Sequence, residues 1–378
     1  MKVTCLQENL ARGLGIVGRA VALRSTLPIT SNVLIATDHG RIKLAATNLD
    51  IALSCWIGGQ IEEEGAITVP SRLLQDFVNS LPSDKIELTL SPRSRQLKLK
   101  CARNEATIGG LDADDFPPIP AIDDGGTLEI DPKLLREAIG QVVFSAATDD
   151  SRPVLTGIDL VIEGDTMRLA ATDGFRLAVR TLKLKKKAGE KQQVVVPAKA
   201  LAELNRLLQD QSDPVQMTLN ANKTQVLFRL KDIELLAQLI QGTFPDYSRL
   251  MPKEWTSRAV VKVGDFLQET KIASIFARDG SGIVRITFEG GEGGTPGKMS
   301  ISARAEEIGE NDGTLDADVE GEASKIAFNG RYLQEVLQVL GSDTKVALDT
   351  TGPSQPGVIR PVDSDDYTHV VMPMFVQW

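Results

Sequence analysis

The chain contains a stretch and its near-copy. Leu169-Ala170-Ala171-Thr172-Asp173-Gly174-Phe175-Arg176-Leu177-Ala178-Val179 restates, 125 positions later, the pattern of Leu44-Ala45-Ala46-Thr47-Asn48-Leu49-Asp50-Ile51-Ala52-Leu53. Other pairs keep almost the same spacing. Val69-Pro70-Ser71-Arg72-Leu73-Leu74 returns as Val196-Pro197-Ala198-Lys199-Ala200-Leu201, and Asp115-Phe116-Pro117 as Thr243-Phe244-Pro245. Asn9-Leu10-Ala11-Arg12 aligns with Lys133-Leu134-Leu135-Arg136. A fainter third round carries Asn329-Gly330-Arg331-Tyr332-Leu333 and Asp366-Tyr367 at the corresponding places. Ordered markers at one period are the mark of internal repetition. The 378 residues therefore divide into three domains, expected at 1–122, 127–252 and 253–378. Each is long enough for its own core.

Each repeat reads as a helix, strands, a second helix and more strands. Leu10, Leu14, Val17 and Val21 form a helical stripe over 7–23. Arg12 and Arg19 fall opposite that stripe, and Arg24 follows at its end. The second helix, 70–80, opens on proline, with Leu73, Leu74, Phe77 and Val78 inward and Arg72 outward. In the second repeat, helices at 131–146 and 197–209 expose Lys133, Arg136, Lys199 and Arg206. Thr172-Asp173-Gly174-Phe175 reads as a tight Asp-Gly hairpin with both turn residues at positive φ. The glycine-rich segment Glu289 to Glu322 carries ten acids against two bases and reads as a solvated rim. Thr368 to Phe375 reads as the last strand. The fold class is α+β: antiparallel sheets with two helices packed on one face, three times over, in an arc with the helices on one side.

Composition removes several functions. The net charge of −9 argues against a protein that grips nucleic acid with its whole surface, while leaving room for a local basic face. No apolar run approaches the ~18–20 residues that span a bilayer, and the start of the chain lacks a signal-peptide core. Cys5, Cys55 and Cys101 form no metal or redox motif and fit buried thiols of a reducing cytoplasm. Gly13-Leu14-Gly15-Ile16-Val17-Gly18 has the letters of a dinucleotide fingerprint, but lies within a helical pattern and not after a strand. Two histidines, His39 and His369, are too few and too far apart for a zinc site or a catalytic triad. No cofactor, metal or catalytic residue is expected. An enzyme centred on the Thr172–Arg176 hairpin and a non-encircling multidomain interaction scaffold remain as alternatives.

Thr172-Asp173-Gly174-Phe175-Arg176-Leu177, Phe244-Pro245-Asp246-Tyr247 and Val371-Met372-Pro373-Met374 together resemble the bacterial replicative sliding clamp, the beta subunit of DNA polymerase III. The resemblance runs the length of the chain. It implies the DNA clamp fold, with sheets outside and helices lining a central hole, in a head-to-tail homodimer that encircles double-stranded DNA without reading sequence. Arg24 and Arg72 match DNA-contact positions of that family, and Arg12, Arg19, Lys133, Arg136, Lys199 and Arg206 join them from the helix faces. The resemblance places the dimer contact at Arg103, Ala106, Thr107, Ile108, Ile275 and Phe276. It places a groove for short hydrophobic peptides at Leu155, Thr172, Gly174, Phe175, Arg176, Leu177, Pro245, Arg249, Leu250, Val370, Met372, Pro373 and Met374. The implied users of the groove are the replicative polymerase, the clamp loader, other polymerases and repair proteins; no membrane is involved. Three departures stand out: Ala106 where relatives can carry a bulky aromatic, Phe175 where histidine is usual, and the tail Phe375-Val376-Gln377-Trp378.

Overall fold

The first repeat alternates short strands with two helices. It runs β1 (Lys2–Leu6), α1 (Gln7–Val17), β2 (Asn32–Asp38), β3 (Arg41–Thr47), β4 (Ile51–Ile57), β5 (Gln60–Glu63), β6 (Ala66–Pro70), α2 (Ser71–Asn79), β7 (Lys85–Ser91), β8 (Gln96–Cys101) and β9 (Asn104–Gly109). The second runs β10 (Thr127–Ile130), α3 (Pro132–Val142), β11 (Gly157–Glu163), β12 (Thr166–Thr172), β13 (Arg176–Lys183), β14 (Gln192–Pro197), α4 (Ala198–Leu207), β15 (Val215–Leu219), β16 (Gln225–Arg229) and β17 (Ile233–Gln238). The third runs β18 (Ser257–Lys262), α5 (Val263–Ala277), β19 (Ile283–Glu289), β20 (Gly297–Ala305), β21 (Gly309–Gly321), β22 (Ser324–Asn329), α6 (Gly330–Gln338), β23 (Lys345–Thr350), β24 (Gly357–Pro361) and β25 (Tyr367–Val371). These elements belong to a computed structural model that describes residues 1–22, 27–122, 126–252, 254–277, 282–291, 295–305 and 309–377.

The strands form three antiparallel sheets. One has the order β5-β1-β7-β8-β9, the second β10-β15-β16-β17-β4-β3-β2-β6, and the third β14-β11-β12-β13-β25-β24-β23-β18-β21-β20-β19-β22. Two pairings join neighbouring repeats. β17, last strand of the second repeat, lies on β4 of the first, with Leu235 opposite Leu53. β25, last strand of the third, lies on β13 of the second, with Val370 opposite Leu177. The chain consequently packs as two units that cut across the repeats. One comprises 1–133 with 199–240, the other 134–198 with 241–378.

Within the first unit α1 packs on β3 and β4 and against α2. Leu10, Leu14 and Val17 are buried to 1% exposure or less, as the stripe requires. Gly13 is in α1 because a Cβ there would lie 2.6 Å from Leu44 Cδ1, so its absence lets the helix approach the sheet. That contact gives the Gly13–Gly18 letters a packing role and no phosphate loop. The helix stops at Val17 and a 3-10 turn spans Gly18–Ala20, short of the expected end at 23. Gly15 and Gly18 weaken the last turns, since glycine costs ~1 kcal/mol in a helix, and Val21 is already extended. In α2, Leu74 and Val78 are buried but Leu73 is 55% exposed, so the inward face is narrower than expected.

In the second unit α5 packs on β19, β20 and β21 and against α6. The acidic segment is solvated as expected, and its described residues are built largely as strands. β20 and β21 pair along their length, from Gly297 opposite Ala317 to Ala305 opposite Gly309. β20 alternates buried and exposed side chains, and its acidic partner β21 keeps most of its own in water. The last strand ends at Val371, four residues before the expected Phe375. Beyond it, the N–H groups of Met372 and Met374 donate to the carbonyls of Phe175, in the turn before β13, and Ala327, within β22.

His369, on β25, is fully buried. Its Nδ1 lies 3.4 Å from the Tyr367 hydroxyl, and its Nε2 has no hydrogen-bond partner among the described residues. Burial first, and the Arg176 charge second, push its pKa down to about 3. The unfolded chain, with an ordinary histidine near 6.5, binds a proton that the folded state refuses. The neutral ring's contribution is therefore complete above pH ~6.5 and is lost as pH falls toward 3. Between pH 7 and pH 5 it should remove roughly 2 kcal/mol. Urea unfolding of the wild type and of His369→Gln at both pH values measures it: the wild type should lose more stability than the variant.

Candidate partner groove and basic helix faces

The Thr172–Arg176 turn is held by side chains. Thr172 pairs with Leu177, so four residues lie between the partners and the connection is longer than a two-residue hairpin. Only Gly174 takes positive φ, at 93°, which corrects the expectation for Asp173. Asp173 works through its carboxylate instead: Oδ1 accepts from Phe175 N–H at 2.8 Å and Arg176 N–H at 3.0 Å. Thr172 Oγ1 accepts from Gly174 N–H at 3.0 Å and donates to Arg176 C=O at 2.6 Å. Arg152 closes the far side by donating to Asp173 C=O at 2.9 Å. These bonds fix the loop so that Phe175 stands 60% exposed at its tip.

The thirteen expected groove positions separate into floor and surface. Leu155, Thr172, Arg176, Leu177 and Val370 are buried. Arg176 is the bracket of the floor. Its Nε donates to Asp173 Oδ2 at 3.1 Å, Nη2 to Phe144 C=O at 2.5 Å, and Nη1 to Glu335 on α6. The guanidinium also lies 4.4 Å from the Tyr332 ring centroid and 5.3 Å from that of Phe144. Gly174, Phe175, Pro245, Arg249, Leu250 and Met372 are exposed; Pro373 and Met374 are half-buried. Leu250 and Met372 are 48% and 40% exposed, unusually wet for apolar side chains. A large, flexible apolar surface beside a rigid frame is suited to receiving apolar side chains of varied shape. Glu335, Tyr332 and Phe144, which hold Arg176, carry no signal in the sequence, because they reach it from other elements.

Arg12, Arg19, Arg72, Lys133, Arg136, Lys199 and Arg206 are all exposed, as the helix phases require. Arg24 lies outside the described residues, as does Trp378. Arg12, Arg19 and Arg206 share one cleft with Lys231, a cation the helix phases could not reveal because it sits in a strand connection. Glu203 pairs with Arg19 at 3.4 Å and also with Arg206. Arg72 is 3.9 Å from Asp76. Such exposed pairs are worth ~1 kcal/mol at most, so these cations keep mobile charge that an anionic polymer can compete for.

Burial pushes the Cys5 thiol up to about 12 and Cys55 to about 11, so neither is a thiolate nucleophile at neutral pH. Among the described residues no group of three His, Cys, Asp or Glu could hold a metal ion. No described helix is long and apolar enough to cross a membrane.

Family models decide the kinship. The DNA polymerase III beta subunit N-terminal domain matches residues 1–120, its central domain 129–246 and its C-terminal domain 248–375. The chain belongs to the beta sliding clamp family. The beta sliding clamp of a Synechocystis species is 30% identical over 99% of both chains, and that of Bacillus subtilis 29% over the same share. The crystal structure of the Bacillus subtilis clamp superposes with a TM-score of 0.94, at 29% identity and over 100% of each chain. A Pseudomonas aeruginosa clamp solved bound to griselimycin, also 29% identical and covered in full, gives 0.90. As a sliding clamp the protein is a non-catalytic processivity factor of DNA replication with three clamp domains. The enzyme reading of the Thr172–Arg176 turn is thereby set aside.

Proposed function

We propose that two copies of the chain close head to tail into a ring around duplex DNA and that the ring tethers the replicative polymerase through the groove at Phe175. One observation carries the closure. In the second and third repeats the last strand has the same place: β17 finds β4, and β25 finds β13. β9, the corresponding strand of the first repeat, pairs only with β8 and ends its sheet. β21, the counterpart of β4 and β13, pairs with β20 over 309–317, but its other edge meets β18 only from Asp318 onward. Other strands also end sheets, but by the pattern of the repeats β9 lacks its acceptor strand and the 309–317 stretch of β21 lacks its donor strand. A second copy satisfies both at once, and an isolated edge of that length is a liability. The contact is heterologous, so it must close to avoid a filament.

The residues expected at the dimer contact suit this. Arg103 and Thr107 are exposed and Ala106 half-exposed on or beside β9, while Ile108 anchors the strand inward. Ile275 is 60% exposed near the end of α5, and Phe276 packs 3.9 Å from where a side chain on Gly309 would begin, at the start of the free β21 edge. A ring holds DNA by topology, so weak contacts from Arg12, Arg19, Arg24, Arg72, Lys133, Arg136, Lys199 and Arg206 are enough, and tight phosphate binding would only brake sliding. The apolar groove is the docking place for short hydrophobic motifs of the polymerase, the clamp loader and other DNA-processing proteins in the cytoplasm. A Pseudomonas aeruginosa relative's binding of griselimycin supports a ligand-accepting surface on this fold. Light scattering on the full chain tests the closure: a particle of twice 40.9 kDa is expected, and a monomer at micromolar concentration would overturn it.

A further inference from the structure

The first unit contains the frame of the groove a second time. Thr47 Oγ1 donates to Ile51 C=O at 2.8 Å and accepts from Leu49 N–H at 3.0 Å. Asn48 Oδ1 accepts from the N–H groups of Asp50 and Ile51 at 3.0 and 2.9 Å. The N–H of Gln238, at the end of β17, donates to Asp50 C=O at 2.9 Å. These five bonds have one-to-one counterparts around Thr172, Asp173 and Met372. Pro117 follows Phe116 as Pro245 follows Phe244. The frame borders a cleft of about 120 Å³, on the scale of one aliphatic side chain and below the ~300–1,000 Å³ of small-molecule sites.

The side chains on this frame differ in a directed way. Leu49 takes the place of Gly174 and keeps its left-handed backbone, φ 78°, although a leucine there costs roughly 1–2 kcal/mol. Its side chain is 49% exposed, so packing does not recover that cost. Strain held at an exposed loop tip is a mark of function. Asp50 stands where Phe175 does, exposed and without an ion pair among the described residues. Among the described residues the cleft lining contains that carboxylate and no cation. Pro117, Pro118 and Pro120 add carbonyl acceptors and no N–H donors. The site is apolar, rich in acceptors and negative.

We infer that this cleft is a second docking site, for a short extended peptide in which an aliphatic side chain sits beside a lysine or arginine. The inference rests on reading the Phe175 groove as a peptide site, and charge separates the two. Asp50 and the proline carbonyls select a donor-rich basic segment, whereas exposed Arg249 beside the Phe175 groove favours an acidic or neutral one. A partner with both kinds of segment would engage one chain at two points, which raises its avidity without any new contact.

Methyl NMR on the full chain with labelled isoleucine and methionine tests this. Ile51 and Ile119 report on the cleft, and Met372 and Met374 on the first groove. The probes are acetyl-Leu-Lys-Leu-Phe-amide and acetyl-Leu-Glu-Leu-Phe-amide. The lysine peptide should shift Ile51 and Ile119, and the glutamate peptide should shift Met372 and Met374. Asp50→Lys should weaken the lysine peptide at the cleft about fivefold or more and leave the first groove unchanged. Shifts at the methionines alone, with both peptides, would overturn the cleft and leave the first groove standing. Shifts at neither would overturn both.

Discussion

Replacing Thr107 by proline is expected to leave each chain folded and to weaken its pairing with a second copy strongly. The N–H of Gly110 donates to the Arg95 carbonyl, which fixes the alternation along β8 and β9. Counting from that bonded pair, Ile108 and Ala106 bond inward to β8, and Thr107 presents its N–H to the free edge. Proline at an outward edge position is tolerated by a sheet. In a mated edge it deletes a ladder bond and thrusts its ring at the incoming strand. The dimer should weaken roughly hundredfold, on the scale of ~3 kcal/mol for a misplaced proline, with thermal unfolding little changed. Ala106→Pro is the contrast: it removes a bond to β8 and should lower stability instead. Sedimentation of both variants across a concentration series checks the pair. An unweakened Thr107→Pro dimer would move the interface away from β9.

The second large effect is expected at the groove. Phe175→Ala with Met372→Ala removes two exposed apolar side chains that contribute nothing to the buried core. Burying such groups yields roughly 1.5–3 kcal/mol each. A polymerase-derived hydrophobic peptide should then bind at least roughly hundredfold more weakly, with dimerisation intact. Fluorescence titration measures the first and light scattering the second. Leu177, although in the same stretch, is a poor probe. It is 2% exposed, and its truncation should cost ~2–5 kcal/mol of stability as a core cavity does. Unchanged peptide affinity in the double variant would remove the groove from this surface.

The parts legible in the sequence were those set by local pattern. The 3.6-residue phase put Arg12, Arg19, Arg72 and Arg206 on exposed faces, and the repeat found both copies of the turn. Long-range pairing was not legible. Nothing local says that β17 will lie on β4, or that β9 will be left with a free edge. Arg176 was named in the sequence as a groove position, but nothing local showed that it would be buried. Its three hydrogen-bond acceptors come from the turn itself, the segment after α3, and α6, and together they draw the guanidinium inside. The acidic β21 looked like a rim because its outward face is polar and Gly309, Gly313 and Gly321 break the apolar alternation. Leu73 was misplaced because a short amphipathic helix has several near-equivalent inward phases.

Retention on circular and on cut DNA tests enclosure most directly. The chain is loaded onto a nicked plasmid circle by its clamp loader with ATP and separated from free protein by gel filtration. The plasmid is then cut once. Held by topology, the protein should remain on the circle through high salt and leave within minutes of linearisation. Equal retention on circle and line, declining together as salt rises, would mean that the protein grips DNA by charge and never surrounds it.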